Sequence, residues 1–187
     1  MMGKLELIIG NMFSGKTTEL IRRINKEKSI NKRILVINYI DDNRYIDDNR
    51  YITDTTDNII THDNLKVNCI KVKKLEEINV NNYDSFFIDE AQFFEDLYSF
   101  VLLLVDVKNK HVIVSGLDGD SFRNPFGDII KLIPLCDTVD KLTAYCNKCN
   151  NGVIAPFTKK INGNTDLIDI GGIDKYIPVC RHHFFNL

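Results

Sequence analysis

The chain has 187 residues, a formal net charge of -2, 44% hydrophobic residues and 27% charged residues. This composition suits one ordinary domain with its own core and argues against intrinsic disorder. The longest apolar run, residues 100–105, is too short to cross a bilayer, and the mild acidity provides no general basic surface for nucleic acid. Residues 1–4 lead directly into strand-like sequence and not into a signal peptide, so a cytoplasmic protein is expected.

The first predicted elements are a buried strand at residues 5–9 and a helix from residue 18 to about residue 29, joined by a glycine-rich loop. The loop fits Gly-x-x-x-x-Gly-Lys-[Ser/Thr], the phosphate-binding P-loop. Its backbone N–H groups and the helix N-terminus favour an anion, Lys16 is predicted to reach the β- and γ-phosphates, and Thr17 is predicted to bind Mg²⁺. The predicted phosphate-binding residues are Gly10, Asn11, Met12, Phe13, Ser14, Gly15, Lys16, Thr17 and Thr18.

Residues 33–39 form a second predicted buried strand, so strand, helix and strand make a βαβ unit with a parallel sheet. The hexapeptide at residues 41–46 then recurs unchanged at 47–52. We interpret the copy as a duplicated surface loop, because a loop insertion costs little free energy. The acids and arginines of this duplicated segment could bind Mg²⁺ and phosphate, but their spacing alone favours an ordinary polar loop. Residues 53–64 are predicted to continue this loop.

A short strand is predicted at residues 67–72 and a short helix at 74–80. The apolar run at residues 85–88 then ends in Asp89 and Glu90, the Walker B form. These acids fall at the carboxyl end of a predicted strand, where ligands of α/β sheets bind. On a strand the two side chains would point in opposite directions, so Asp89 suits Mg²⁺ and Glu90 suits a general base. Taken alone, the pair is equally compatible with a helix cap.

The remaining elements continue the α/β pattern. A helix is predicted at residues 96–110, a core strand at 111–117, a turn at 118–123, a helix from 125 to about 136 and a final strand at 141–145.

The C-terminal segment carries a predicted metal site. Cys146 and Cys149 form Cys-x-x-Cys, and Cys180 and His183 form Cys-x-x-His. Together they offer the Cys₃His set of a structural Zn²⁺ site. His182 is the rival fourth ligand, and two metal-free thiol clusters are the alternative to a metal. Residues 162–178, which lie between the two pairs, are predicted to form a substrate lid.

Three classes of P-loop protein fit this pattern: a small-molecule kinase, a nucleic-acid motor and a GTPase. The nearest match to the GTPase base motif Asn-Lys-x-Asp ends in Asn150 and shares Cys149 with the metal pair. A motor would need a second domain and a basic track. A small-molecule kinase needs an acceptor pocket and a lid, for which the chain has candidates.

Several motifs together resemble the type II thymidine kinases of animal cytosol, bacteria and large DNA viruses. The resemblance covers nearly the whole chain and rests on residues 12–20, 89–94, 117–119, 125–127, 141–144 and 171–176 before Cys180. It implies a RecA-like P-loop domain, residues 1–142, with a parallel sheet flanked by helices. It also implies a small zinc-ribbon-like lasso domain, residues 143–187. Asn11 departs from the family, which usually has proline there.

The resemblance implies transfer of phosphate from ATP to the 5′-hydroxyl of thymidine, and of deoxyuridine, to supply dTMP. Glu90 would be the general base, Asp89 and Gln92 would serve ATP, and Thr17 with Asp89 would bind Mg²⁺. The family's acidic and Arg loop matches Asp42 and Arg44 when counted from one side and Asp48 and Arg50 from the other.

The base pocket implied by the resemblance has ten members: Met12, Phe93, Leu117, Phe122, Thr158, Leu167, Asp169, Ile170, Gly171 and Tyr176. A homotetramer or dimer and feedback inhibition by dTTP are also implied, with no nucleic-acid or membrane partner.

Overall fold

The computed structural model describes residues 2–41, 58–60, 66–161, 172 and 174–186. The helices are α1 (Lys16–Lys28), α2 (Leu97–Leu102) and α3 (Arg181–Phe185). The strands are β1 (Lys4–Gly10), β2 (Ile34–Tyr39), β3 (Asn58–Ile60), β4 (Lys66–Asn68), β5 (Ile70–Val72), β6 (Ser85–Ile88), β7 (His111–Leu117), β8 (Thr138–Leu142), β9 (Ala144–Tyr145), β10 (Ile154–Ala155), β11 (Phe157–Lys160) and β12 (Tyr176–Val179).

Six parallel strands form the central sheet in the order β5-β2-β6-β7-β1-β8. This confirms the predicted α/β fold with a parallel sheet. The register places Gly10 beside Leu117, and Ile88 beside both Ile37 and Val114. The segments that follow β1, β6 and β7 therefore leave the sheet at the same edge.

The two faces of the sheet bury different helices. Along β1, Leu5, Leu7 and Ile9 contribute to one cluster with α2, whereas Ile8 packs with α1 on the other face. This alternation follows from the two-residue period of a strand. Burying one such aliphatic side chain contributes about 1.5–3 kcal/mol. The same packing holds the first turn of α1, and so the P-loop, against the sheet.

Three predictions between β2 and β6 were wrong in detail. Residues Asn58–Ile60 form β3 and pair antiparallel with β4, although the mainly polar segment 53–64 that contains them was predicted to be loop. The helix predicted at residues 74–80 is only a 3₁₀ turn, Leu75–Glu77, flanked by extended backbone. The predicted strand at 67–72 divides at Cys69 into β4 and β5, so only β5 joins the central sheet.

The later helices are less regular than their sequence period predicts. After Leu102, α2 continues as a π-helical turn, Leu103–Val107, and the segment Gly127–Leu135 is 3₁₀ helix with Pro134 inside it. Proline lacks the N–H that either helix type needs, so Pro134 removes one helical hydrogen bond near the end of this segment. Among the described helices, none combines the length and the apolar character needed to cross a membrane.

The C-terminal part contains two small antiparallel hairpins, β9 with β10 and β11 with β12. The strand predicted at residues 141–145 therefore divides between β8 of the central sheet and β9 of a hairpin. A separate hydrophobic cluster lies under the hairpins, formed by Ala144, Cys146, Ala155, Ile177, Val179 and Cys180. The proposed domain boundary at residue 142 stays a prediction.

A network of charged side chains occupies the α1 face of the sheet. Glu6 pairs with Arg23 at 2.6 Å, and His111 contacts Glu27 at 2.6 Å through Nδ1 and Glu6 at 3.1 Å through Nε2. His111 therefore lies between two carboxylates, one at each ring nitrogen. The hydrogen bond from His111 lowers the pKa of Glu6 far below its usual range, although burial opposes the shift.

This network predicts a loss of stability in acid. The hydrogen bond from Arg22 lowers the pKa of Glu19 from 4.5 to about 2, and the pKa of Glu6 is also lowered. A carboxylate with a depressed folded pKa stabilises the fold above its unfolded pKa, and that stabilisation disappears as the pH falls through the folded pKa. We therefore expect the free energy of unfolding, measured with urea, to fall below pH 4.5, and to fall less in Glu6→Gln.

A metal ion lost in acid would destabilise the unmodified protein and every variant equally. A difference in acid dependence between Glu6→Gln and the unmodified protein therefore reports the charged network and not the metal. Glu77→Gln, which changes an exposed carboxylate, should keep the acid dependence of the unmodified protein. An equal acid slope in Glu6→Gln and the unmodified protein would contradict the prediction.

Candidate active site and metal centre

The P-loop has the backbone conformation that its glycines allow. Gly10, which ends β1, has φ 151°, and a Cβ there would lie 2.2 Å from the carbonyl oxygen of Leu142. Gly15 precedes α1 in the left-handed region, with φ 82°. Side chains are strongly disfavoured at both positions, for steric reasons at the first and for conformational reasons at the second. The strand, loop and helix therefore form the arrangement that confirms a P-loop motif.

Lys16 is held inside the loop. Its side chain is buried at 8% exposure, and Nζ donates a hydrogen bond to the carbonyl oxygen of Asn11 at 2.7 Å. Ser14 Oγ donates to the same oxygen at 2.7 Å. A buried ammonium with three donors, beside the N-terminus of α1, makes this a favourable place for a phosphate group.

Asp89 connects three elements of the site. It follows β6, is 3% exposed, and accepts hydrogen bonds from Thr17 Oγ1 on α1 at 3.1 Å and from Ser115 Oγ on β7 at 2.7 Å. The predicted pair of Mg²⁺ residues, Thr17 and Asp89, is therefore in direct contact. A hydroxyl and a carboxylate beside a phosphate site are the ligands that Mg²⁺ prefers.

The side chains of Asp89 and Glu90 have different hydrogen-bond partners, as their separate predicted roles require, but the cause is not the predicted strand alternation. Strand β6 ends at Ile88, so strand alternation does not separate the two acids. Glu90 instead adopts φ 51°, in the left-handed region, and its side chain is 4% exposed. A left-handed conformation in a residue other than glycine is uncommon and concentrates at functional sites.

Gln92 fixes the position of Glu90. Its Nε2 donates to Glu90 Oε2 at 2.6 Å, and its Oε1 accepts from the backbone N–H of Leu117 at 2.9 Å. A Cβ at Gly116 would lie 2.5 Å from Gln92 Oε1, so this close approach requires glycine. The sequence motif assigned Gln92 to ATP, and that assignment stays a prediction.

An aromatic group lies next to the acids. The ring of Phe93 is 5.3 Å from Tyr39 and 5.6 Å from Phe126, centroid to centroid. Phe93 was predicted from the sequence, whereas Tyr39 and Phe126 were not assigned to the site. Tyr39 ends β2 and Phe126 lies beside a turn. An aromatic residue in such a position is the sequence signal by which both could have been assigned to the site. Leu117 is buried nearby, and Phe122 is 53% exposed.

The C-terminal hairpin binds the P-loop directly. The backbone N–H of Met12 donates to Thr158 Oγ1 at 3.0 Å, and the Asn11 amide donates to the carbonyl oxygen of Phe157 at 3.4 Å. Phe13, whose φ is 64°, packs against the hydrophobic cluster below the hairpins. Met12 and Thr158, both predicted to contact the nucleoside, are thus brought together. Tyr176, on β12, is 8% exposed.

Four predicted metal ligands form one cluster. Ligand atoms of Cys146, Cys149, Cys180 and His183 all lie within 4.8 Å of one another. His183 Nδ1 is 3.4 Å from the sulfurs of Cys149 and Cys180, and these sulfurs are 3.8 Å apart. Sulfurs at tetrahedral corners, 2.3 Å from Zn²⁺, would be about 3.8 Å apart, so the cluster fits that ion. The rival His182 lies outside the cluster.

The thiols of Cys146 and Cys149 have shifted pKa values. Burial alone would raise the pKa of Cys146, but backbone N–H groups of Cys180, Cys149 and Lys148 outweigh burial and lower it to about 6. Burial and the neighbouring Cys146 and Cys180 sulfurs raise the pKa of Cys149 to about 11. A divalent cation among the sulfurs relieves this repulsion and favours the thiolates.

Several predicted residues lie outside the described part of the chain. These are both alternatives for the acidic and Arg loop, Asp42 with Arg44 and Asp48 with Arg50, and four residues of the nucleoside loop, Leu167, Asp169, Ile170 and Gly171.

A parallel sheet with a phosphate-binding loop after β1 and an Asp-Glu pair after β6 defines a P-loop nucleotide-binding protein.

The thymidine kinase family model matches residues 3–184. The chain is 45% identical to a thymidine kinase of Amsacta moorei entomopoxvirus, covering 95% of each chain. It is 41% identical to that of Yaba monkey tumor virus, covering 99% of this chain and 96% of the viral one. It is 39% identical to that of Oryza sativa, covering 98% and 67%.

The chain therefore belongs to the thymidine kinase family, and it is an enzyme that phosphorylates thymidine.

Proposed function

We propose that the enzyme transfers the γ-phosphate of ATP to the 5′-hydroxyl of thymidine, with Glu90 as general base. The contact between Thr17 and Asp89 carries this proposal, because it joins the phosphate loop to the strand end that also holds Glu90. Donor phosphate at the P-loop and an acceptor beside the Phe93 ring would then meet at one edge of the sheet.

In this mechanism each residue has a separate task. The loop amides and Lys16 bind the donor phosphates, and Thr17 and Asp89 hold Mg²⁺. When bound, Mg²⁺ neutralises charge that develops on the phosphates. Glu90, held by Gln92, accepts the proton of the 5′-hydroxyl as that oxygen attacks phosphorus. Since both acids are at least 96% buried, water is largely excluded from the proton acceptor.

The acceptor pocket supports thymidine as substrate. We assign Phe93, Leu117 and Phe122 to an apolar wall for the base, and Met12, Thr158 and Tyr176 to the same pocket. The proposed backbone contacts to the base edge come from residues 167–171, which lie outside the described chain. An apolar wall distinguishes the thymine methyl group only modestly, so deoxyuridine is proposed as a second substrate.

The wider role proposed is supply of dTMP for DNA synthesis, with dTTP as feedback inhibitor and a homotetramer, or dimer, as the assembly. Family membership supports these parts of the proposal. No disulfide joins the five cysteines, all of which lie in the described part of the chain, and this supports a reducing compartment such as the cytoplasm and structural Zn²⁺ at the Cys₃His cluster.

Incubation with γ-labelled ATP and a panel of deoxynucleosides tests the donor and the acceptor together. We expect labelled monophosphate from thymidine, and from deoxyuridine at roughly ten- to two-hundredfold lower kcat/KM, the usual effect of one methyl group. Deoxycytidine and deoxyguanosine should give no product. Lys16→Ala, prepared identically, should give no label and thereby excludes a contaminating kinase. Labelled inorganic phosphate without labelled nucleotide would reject ATP as donor to thymidine.

A further inference from the structure

The loop at residues 118–126, here named the Phe122 loop, has an internally fixed shape. Asp120 is 8% exposed, and its Oδ1 accepts hydrogen bonds from the backbone N–H groups of Phe122 and Asn124, each at 2.8 Å. The N–H of Asp120 donates to the carbonyl oxygen of Asn124 at 2.9 Å. The loop therefore behaves as one small unit whose placement depends on its outer contacts.

Contacts at the two ends hold this unit beside the sheet. Phe126 packs its ring against Phe93, 5.6 Å away, and Asp118 pairs with Lys141 of β8 at 2.7 Å. Neither contact fixes the middle of the loop, where Phe122 lies. That task falls to Arg123, the next residue.

Arg123 reaches across to the C-terminal segment. Its guanidinium lies 5.4, 4.8 and 4.6 Å from the ring centroids of Phe157, Phe184 and Phe185, respectively. These three rings are here named the aromatic cluster. Arg123 has φ 69°, a left-handed conformation that is unfavourable for a residue with a Cβ. One guanidinium over several rings is a favourable cation–π arrangement and offsets this backbone conformation.

The aromatic cluster belongs to the segment that carries the metal ligands and contacts the P-loop. Phe184 and Phe185 directly follow the ligand His183 on α3, and Phe157 precedes Thr158, which binds the P-loop. Lys159 Nζ also donates to the carbonyl oxygen of Phe184 at 2.8 Å, which ties α3 to β11. Arg123 thus joins the Phe122 loop to an element whose position the metal cluster sets.

We propose that Arg123 is a positioning residue for the nucleoside: by stacking on the aromatic cluster, it sets Phe122 against the base and makes the acceptor pocket depend on the metal-binding segment. This inference rests on the proposed placement of thymidine against Phe122. Arg123 acts through the loop, not on the reacting atoms. Its effect therefore falls on thymidine binding, and the phosphate-transfer step keeps its rate.

Calorimetric titration of the zinc-loaded enzyme with thymidine tests the proposal. In Arg123→Ala we expect a Kd roughly three- to tenfold higher, the change expected when an ordinary cation–π contact no longer helps to hold the loop. Arg123→Lys should give an intermediate Kd, since an ammonium covers the rings less fully. The kcat at saturating thymidine and the KM for ATP should stay within about twofold of the unmodified values.

Arg181→Ala is the matched control. Its guanidinium lies 4.9 Å from the Phe157 ring, so the variant removes a cation from one ring of the aromatic cluster and leaves the sequence of the Phe122 loop unchanged. It should leave the Kd for thymidine unchanged. Metal content and melting temperature are measured for every variant. An unchanged Kd in Arg123→Ala, an equal rise in Arg181→Ala, or a rise that accompanies loss of metal would overturn the proposal.

Phe122→Ala separates this inference from the proposed function. If Phe122→Ala binds thymidine as tightly as the unmodified enzyme does, the base does not lie against Phe122 and the proposed pocket is wrong. If Phe122→Ala binds weakly while Arg123→Ala binds normally, the pocket stands and the role of Arg123 is rejected.

Discussion

Glu90→Gln should lower kcat by about 10²–10⁴-fold, the range that a positioned general base contributes. The substitution replaces one carboxylate oxygen with an NH₂ group, so the side chain keeps its size but loses the ability to accept the 5′-hydroxyl proton. Glu90 is 4% exposed, and solvent therefore provides a poor substitute acceptor. Binding of ATP and thymidine should change little, because the phosphate contacts come from the P-loop and the base contacts from the apolar wall.

Single-turnover kinetics and equilibrium titrations measure these effects separately. Glu95→Gln is the matched control, since it makes the same change at an exposed carboxylate five residues further on, and it should retain normal kcat. Gln92 donates to Glu90 Oε2 in the structure, and an amide that presents its NH₂ group there would repel this donor. A melting curve of Glu90→Gln therefore shows whether local rearrangement contributes. Near-normal turnover would reject Glu90 as the base.

Loss of one metal ligand should unfold the C-terminal hairpins and abolish thymidine phosphorylation. The hydrophobic cluster there has six buried members, which is few for an independent core. Structural Zn²⁺ contributes about 10–16 kcal/mol in zinc-finger peptides at neutral pH, as much as the whole stability of an ordinary domain. We therefore expect Cys149→Ser to lose the one Zn²⁺ per chain and to melt at a markedly lower temperature.

Elemental analysis and calorimetry of purified protein check this prediction. Cys136→Ser is the control, because Cys136 lies outside the cluster and bonds only weakly to the carbonyl oxygen of Ile133. It should retain one Zn²⁺ per chain. The absence of Zn²⁺ from the unmodified protein, or an unchanged melting temperature in Cys149→Ser, would contradict a structural role for the metal.

The sequence alone was sufficient to predict the motifs whose functional residues lie close together in the chain. The spacing from Gly10 to Lys16 requires a strand, a turn and a helix, and the apolar run before Asp89 identifies the neighbouring strand end. The metal cluster was also predictable, because two Cys/His knuckles have few ways to satisfy a tetrahedral ion. These features depend on residues close together in the chain or on strong ligand geometry.

Long-range packing explains what the sequence did not reveal. Residues 58–60 form a strand by pairing with β4, and the polar sequence on both sides of Ile59 and Ile60 hid this short strand from the sequence analysis. The left-handed conformation of Glu90 depends on Gln92 and on the backbone of β7. Tyr39 and Phe126 reach Phe93 from separate segments, so no local pattern relates the three rings.

The contact between the P-loop and the C-terminal hairpin limits how members of this family can be recombined. Met12 donates to Thr158, Asn11 donates to the carbonyl oxygen of Phe157, and Phe13 packs into the hydrophobic cluster below the hairpins. A chimera that exchanges residues 143–187 alone would take the two sides of each contact from different parents. Exchange of residues 11–13 together with the C-terminal segment would take both sides from one parent, although residues 11–13 lie near the opposite end of the chain.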